Sequence, residues 1–114
     1  MNVEKGQEFI EAGKLEWKEV APGVRRKITA YDESLMTVYV EFQKGAIGYL
    51  HQHPHRQITF IELGKFEVQI GGKKQVLQKG DSYYIPPGVE HGVTTLEAGR
   101  LVDIFTPARQ DFLE

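Results

Sequence analysis

Cysteine is absent from the 114 residues, which excludes a disulfide framework and thiolate metal ligands. Any metal must then be held by nitrogen and oxygen. An excess of one charge is also missing: 14 Lys plus Arg stand against 16 Asp plus Glu, so no basic field gathers nucleic acid or an anionic membrane surface. No run is long and apolar enough to span a bilayer. The N-terminal stretch MNVEKGQEFIEAGKLEW carries four acidic groups, unlike a signal or transit peptide. A soluble, cytoplasmic protein with no nucleic-acid or membrane partner is expected. Helical periodicity, internal repeats, linkers and low-complexity segments are lacking as well, and the length suits one core rather than two, so residues 1–114 are read as a single domain.

What is present is alternation with a period of two. In LMTVYVEF, Met36, Val38, Val40 and Phe42 fall on one face, and Thr37, Tyr39 and Glu41 on the other, the pattern of a half-buried strand. KFEVQI repeats it, and Gly71 and Gly72 then supply a tight hairpin before KKQVLQ. VRRKITAY, GYLHQH, QITFIEL, SYYIPP, GVTTL and RLVDIFTP are further short strand candidates. Such strands fenced by Gly and Pro predict an all-β sandwich or barrel whose inward positions line a cavity.

Three of the four histidines, His51, His53 and His55, crowd into HQHPH. If GYLHQH is extended, His51 and His53 share a face about 6.6 Å apart along the chain, and Gln52 points away. Pro54 removes an N–H and interrupts pairing, so His55 need not follow the alternation. Gln57 opens the next strand with an amide oxygen able to bind a metal, and His91 follows the turn GDSYYIPPGVE. An isolated histidine is ordinarily a surface or satisfied core residue. Three in one strand edge and a fourth after a Gly- and Pro-rich turn point instead to a metal site.

These residues carry a family resemblance. GAIGYLHQHPHRQITFIELG resembles the first cupin motif through Gly45, His51, His53 and Gly64, and GDSYYIPPGVEHGVTT is similar to the second through Gly80, Pro86, Gly88 and His91. The motifs span about residues 45–64 and 80–95. The resemblance implies a small single-domain cupin, a double-stranded β-helix or jelly-roll barrel, with His51, His53 and His91 turned inward onto one divalent ion. Gln57 replaces the usual Glu of the first motif and Thr95 the usual Asn of the second. Three imidazoles and an amide leave a divalent charge uncompensated, which favours an anionic ligand.

HPHRQITF, GVRRKITAYDESLM and LEAGRLVDIFTPARQDFL further resemble the KdgF pectin degradation family. That resemblance implies that Gln57 joins His51, His53 and His91 as a metal ligand, and that Asp103, Phe105 and Arg109 have functional roles. It implies ring-opening of cyclic 4,5-unsaturated uronates, released by pectin or alginate lyases, to linear 4-deoxy-5-keto uronates. Asp103 and Arg109 are the implied catalytic residues, and Phe105, Arg109 and His55 would bind the small anionic sugar. The ion is one of Ni, Zn, Fe, Mn, Co or Cu. From the residues alone, LVDIFTP has two open facings: Asp103 and Phe105 inward, or Val102 and Ile104 buried with Asp103 solvated. Arg25 and Arg26 are possible second partners for a substrate carboxylate, but adjacent strand residues face opposite ways, and both are read as outer-surface charges. Two rival activities fit the same metal motif, a cupin dioxygenase and a non-catalytic metal- or sugar-binding cupin. A homodimer is expected, covering open strand edges and outer apolar positions such as Ile58 and Phe60.

Overall fold

Alternation sets the first wall of the barrel. In the computed structural model, which describes residues 2–114, β3 (Met36–Phe42) buries Met36, Val38 and Phe42. It pairs with β2 (Val24–Tyr31), placing Val24 opposite Phe42 and Ile28 opposite Val38. A short β1 (Lys18–Ala21), not anticipated from the sequence, extends this edge. The Trp17 ring just before it lies under Lys27, whose ammonium donates to the Ala12 carbonyl at 2.8 Å. The N-terminal segment thus covers the outer face of β2.

The remaining strands are β4 (Ile47–His51), β5 (Arg56–Ile70), β6 (Lys73–Gln78), β7 (Ser82–Ile85) and β8 (His91–Thr106). QITFIEL and KFEVQI, expected as separate strands, are the two halves of β5; GVTTL and RLVDIFTP are likewise the halves of β8. The register slips around Leu63 and Lys65, where both strands bend. Glycine makes the bend feasible: a Cβ on Gly64 would lie 2.7 Å from the carbonyl oxygens of Glu97 and Ala98, and one on Gly99 would strike the Leu63 carbonyl. The β5–β6 hairpin turns on Gly71 at φ 58°, and Gly72 stays outside the positive-φ region.

The bend gives β5 and β8 a share in two sheets. Their Arg56–Leu63 and Arg100–Thr106 halves pair with each other and with β7 and β3. Their Lys65–Ile70 and His91–Glu97 halves pair with each other and with β6 and β4. All pairings are antiparallel. The two sheets close on one another as a jelly roll, the all-β cupin architecture.

Inside, Val24, Phe42, Ile61, Phe66, Val68 and Leu101 form one apolar cluster. Met36, Val38, Phe105 and Ala108 form a second. Burying a side chain such as Phe66, at 0% exposure, stabilises the fold by about 1.5–3 kcal/mol. The β5–β8 register inserts a polar step between the clusters: Ile61 faces Leu101, Thr59 faces Asp103, and Gln57 faces Phe105. Polar residues at core-facing positions interrupt the packing that would otherwise join the two clusters. They mark the site.

Candidate metal centre

β4 ends at His51, not at His53 as extended GYLHQH would have it, and its register slips between Gly48 and His51. His53 therefore reaches the site from the connection beyond the strand. That connection is anchored to the second motif, because Gly88 N–H donates to the His53 carbonyl at 2.8 Å. His91 opens β8 directly opposite His51. One nitrogen from each of His51, His53 and His91 lies within 4.8 Å of the others, and ring centroids stand 4.3 Å apart for His51 and His91 and 4.8 Å for His53 and His91. His53 and His91 are buried, and His51 is exposed at the rim.

Backbone carbonyls fix which nitrogen each ring offers. Nδ1 of His51 lies 2.8 Å from the Tyr49 oxygen, Nδ1 of His53 3.1 Å from the His55 oxygen, and Nδ1 of His91 2.9 Å from the Val89 oxygen. A carbonyl only accepts, so each Nδ1 carries a proton, and in the neutral ring it is Nε2 that offers the lone pair. Metal-binding histidines are commonly held in this way. Burial lowers the pKa of His53, with Arg109 adding to the effect, and lowers that of His91 to about 4. Both rings are neutral at neutral pH, the state a ligand needs.

Two observations test whether a cation fits. Nε2 of His91 is buried without any hydrogen-bond partner. Nε2 of His53 stands 3.0 Å from Oε1 of Gln57, and a neutral His53 that donates from Nδ1 makes this a contact between two acceptors. A divalent ion resolves both problems with one positive charge. Three imidazole nitrogens and an amide oxygen are a suitable donor set for a transition metal. The site fits an ion.

Behind Gln57 lies an acid. Nε2 of Gln57 donates to Thr59 Oγ1 at 2.9 Å and to Asp103 Oδ1 at 3.3 Å, and Thr59 Oγ1 donates to Asp103 Oδ1 at 2.6 Å. Asp103 thus takes the inward of its two open facings, with Phe105 buried beside it and Val102 and Ile104 on the other face. The side chain keeps partial solvent access, but protein surrounds the carboxyl, and this burial raises its pKa to about 6. The Thr59 hydrogen bond and the Arg109 charge oppose the rise.

Phe105 meets His53 edge-on at 5.6 Å, and His55 lies 6.4 Å from Phe105. His55 is outside the three-histidine group, and its Nδ1 is buried without a partner. Arg109, 8% exposed, stacks at 5.0 Å over Phe105 and 4.1 Å over Phe112. The fold therefore brings His51, His53, Gln57, His91, Asp103, Phe105 and Arg109 into one connected set of contacts, with His55 at its margin.

Sequence reasoning missed Thr59 and Asp111, and it put Arg26 on the wrong face. Thr59 sits two residues from Gln57 on the same face, and that spacing was its signal. Arg26 is not an outer-surface charge: it alternates with Val24 and Ile28 on the inner face of β2, half-buried, its guanidinium 3.8 Å over the Phe112 ring. Burial lowers its pKa, and Arg109 lowers it further. It lines a groove of about 510 Å³ with Lys18, Tyr31 and Phe112, and none of the four histidines borders that groove.

The cupin domain family profile matches residues 38–105. The pectin degradation protein KdgF of Dickeya dadantii is 46% identical over 99 residues, 85% of this chain and 90% of that protein. An RmlC-like cupin from Shewanella frigidimarina superposes with a TM-score of 0.92 at 36% identity, over 96% of this chain and 99% of the other. KdgF from a Halomonas species superposes at 0.88 with 41% identity, over 93% and 98%. The chain belongs to the cupin superfamily and, within it, to the KdgF family.

Proposed function

We infer that the protein is an enzyme of pectin breakdown that opens cyclic 4,5-unsaturated uronates, isomerising them to linear 4-deoxy-5-keto uronates, and that it depends on one divalent metal ion. The observation that carries this reading is the inward carboxyl of Asp103, hydrogen-bonded to Gln57, which in turn meets the three-histidine group, in a chain 46% identical to a pectin degradation protein.

His51, His53, Gln57 and His91 would hold the ion, which supplies Lewis acidity toward the substrate carboxylate and its neighbouring oxygen. Asp103 accepts the proton of the hemiacetal hydroxyl. That O–H electron pair becomes the aldehyde C=O, the bond from C1 to the ring oxygen breaks, and its pair stays on the ring oxygen as an enolate. Asp103 then returns the proton to C4, and the enolate becomes the ketone. Nothing is oxidised or reduced, so no organic cofactor is needed. Arg109 steadies the anion, Phe105 walls the sugar, and His55 contributes a polar contact at the margin.

The reading takes residues 1–114 as one cupin domain that works in the cytoplasm as a homodimer. Among the described residues no helix is long and apolar enough to cross a membrane. The test is to mix metal-loaded protein with lyase-generated unsaturated uronate and follow loss of the conjugated-alkene absorbance. A rate above the spontaneous one is expected. A rate no greater than that, or oxygen consumption matching substrate loss, would overturn the reading.

A further inference from the structure

Thr59 is fully buried at 0% exposure, directly opposite Asp103, and has no part in the chemistry above. A hydroxyl has one proton to give and two lone pairs to offer. The proton goes to Oδ1 of Asp103 at 2.6 Å, and a carboxylate gives none back. Toward Gln57 the hydroxyl can therefore only accept, which it does from Nε2 at 2.9 Å. Its one proton and one of its lone pairs are thus committed.

The consequence falls on Gln57. With the amide reversed, Oε1 would face the Asp103 carboxylate and a hydroxyl with no proton left, while the NH₂ would face the histidines. An NH₂ group has donors and no lone pair for a metal. Reversal would thus create an unsatisfied buried acceptor and lose the oxygen at the site.

We propose that Thr59, backed by Asp103, is a positioning residue that sets the polarity of the Gln57 amide, so that oxygen and not nitrogen is presented to the histidine triad. This rests on the reading of Gln57 as a metal ligand. Loss of a group that orients a ligand typically weakens metal binding about 10- to 100-fold. Serine keeps the hydroxyl, and valine keeps only the shape.

Calorimetric Zn²⁺ titration of Thr59→Ser should give an affinity within about threefold of the parent, and Thr59→Val a loss of about 10- to 100-fold. In a Gln57→Glu background both ends of the headgroup are oxygen, so adding Thr59→Val should weaken Zn²⁺ by less than about threefold. A merely structural role would give equal losses in both backgrounds, and that result would overturn the proposal. If Thr59→Val does not fold, Zn²⁺-loaded parent protein decides by NMR: the Gln57 amide protons should show cross-peaks to Thr59, and cross-peaks to the His53 or His91 ring protons instead would refute it. Gln57→Ala separates the two readings. Unchanged Zn²⁺ affinity in that variant removes Gln57 as a ligand and the proposal with it. If that variant binds weakly while Thr59→Val matches the parent, only the Thr59 proposal falls.

Discussion

The guanidinium of Arg109 donates through Nε and Nη2 to the two carboxylate oxygens of Asp111, at 3.0 and 2.8 Å. One edge of the fork is pinned, its face rests on Phe105 and Phe112, and Nη1 is the donor that the proposed function would aim at the substrate. Lysine keeps the charge but can neither grip both oxygens nor stack as a plane. Arg109→Lys should therefore raise KM for unsaturated uronate about tenfold, the equivalent of one charge-assisted hydrogen bond, with metal content unchanged. Metal analysis alongside steady-state kinetics checks it; an unaltered KM would remove Arg109 from the substrate contacts.

Asp103→Asn keeps an acceptor for the Thr59 hydroxyl but has no proton to transfer. Metal content should hold while kcat falls about 10²–10⁴-fold, the usual contribution of a positioned acid-base group. Turnover at the parent rate by the metal-loaded variant would show that the inward carboxyl only braces Gln57.

Gln57→Glu should retain the ion, because a carboxylate oxygen replaces an amide oxygen. The added negative charge cancels part of the ion's charge, and the substituted headgroup loses its hydrogen bonds to Asp103 and Thr59. An anionic sugar should bind more weakly, seen as a raised KM. A KM equal to or below the parent value would mean that ligand charge does not govern capture.

Chelator-treated protein should lose stability as pH falls from neutrality toward about 5. His53, His55 and His91 have pKa values lowered from 6.5, that of His91 to about 4. Below 6.5 the unfolded chain takes up more protons at these three sites, so stability drops. Asp103 has the opposite sign: its pKa, raised from 3.8 to about 6, lets the folded state bind a proton first and adds stability over that interval. The loss at His91 begins near 6.5 and the gain at Asp103 only near 6, so above about 5 the histidines prevail. A urea midpoint that rises on acidification would contradict this balance.

On the outer face, Ile58 and Tyr84 are each 50% exposed and Phe60 43%, with Ile104 and Val102 beside Ile58 and Phe60 in the ladder. Covering this face in a homodimer should give a light-scattering mass near twice 13.0 kDa. A mass of 13.0 kDa at micromolar concentration would exclude the dimer under those conditions.

Periodicity gave β2, β3 and β6 their bounds within a residue, because turn-forming residues such as Gly23, Asp32, Gly45 and Gly72 fence them in the sequence. It failed where β5 and β8 bend, since a glycine between two alternating runs reads as a break unless the partner strand is known to bend beside it. In QITF hydrophobicity alone would turn Ile58 and Phe60 inward, yet both lie outside, as the expectation of a covered outer face had them, and Gln57 and Thr59 are buried; a polar site inverts the rule that assigns faces. The histidines were legible from spacing, although His53 arrives from a connection and not from a strand. The inward side of Asp103 was not, because LVDIFTP alternates equally well in both directions and only the Thr59 and Gln57 hydrogen bonds distinguish them.

Because β5 and β8 run unbroken through both sheets, the strands that carry Gln57, Thr59, His91 and Asp103 also carry the core residues Phe66, Val68 and Leu101. Polar site and apolar core hang on one covalent frame. A side chain added at Gly64 or Gly99, where that frame folds over, would therefore disturb the chemistry and the packing together, although neither glycine touches the histidines.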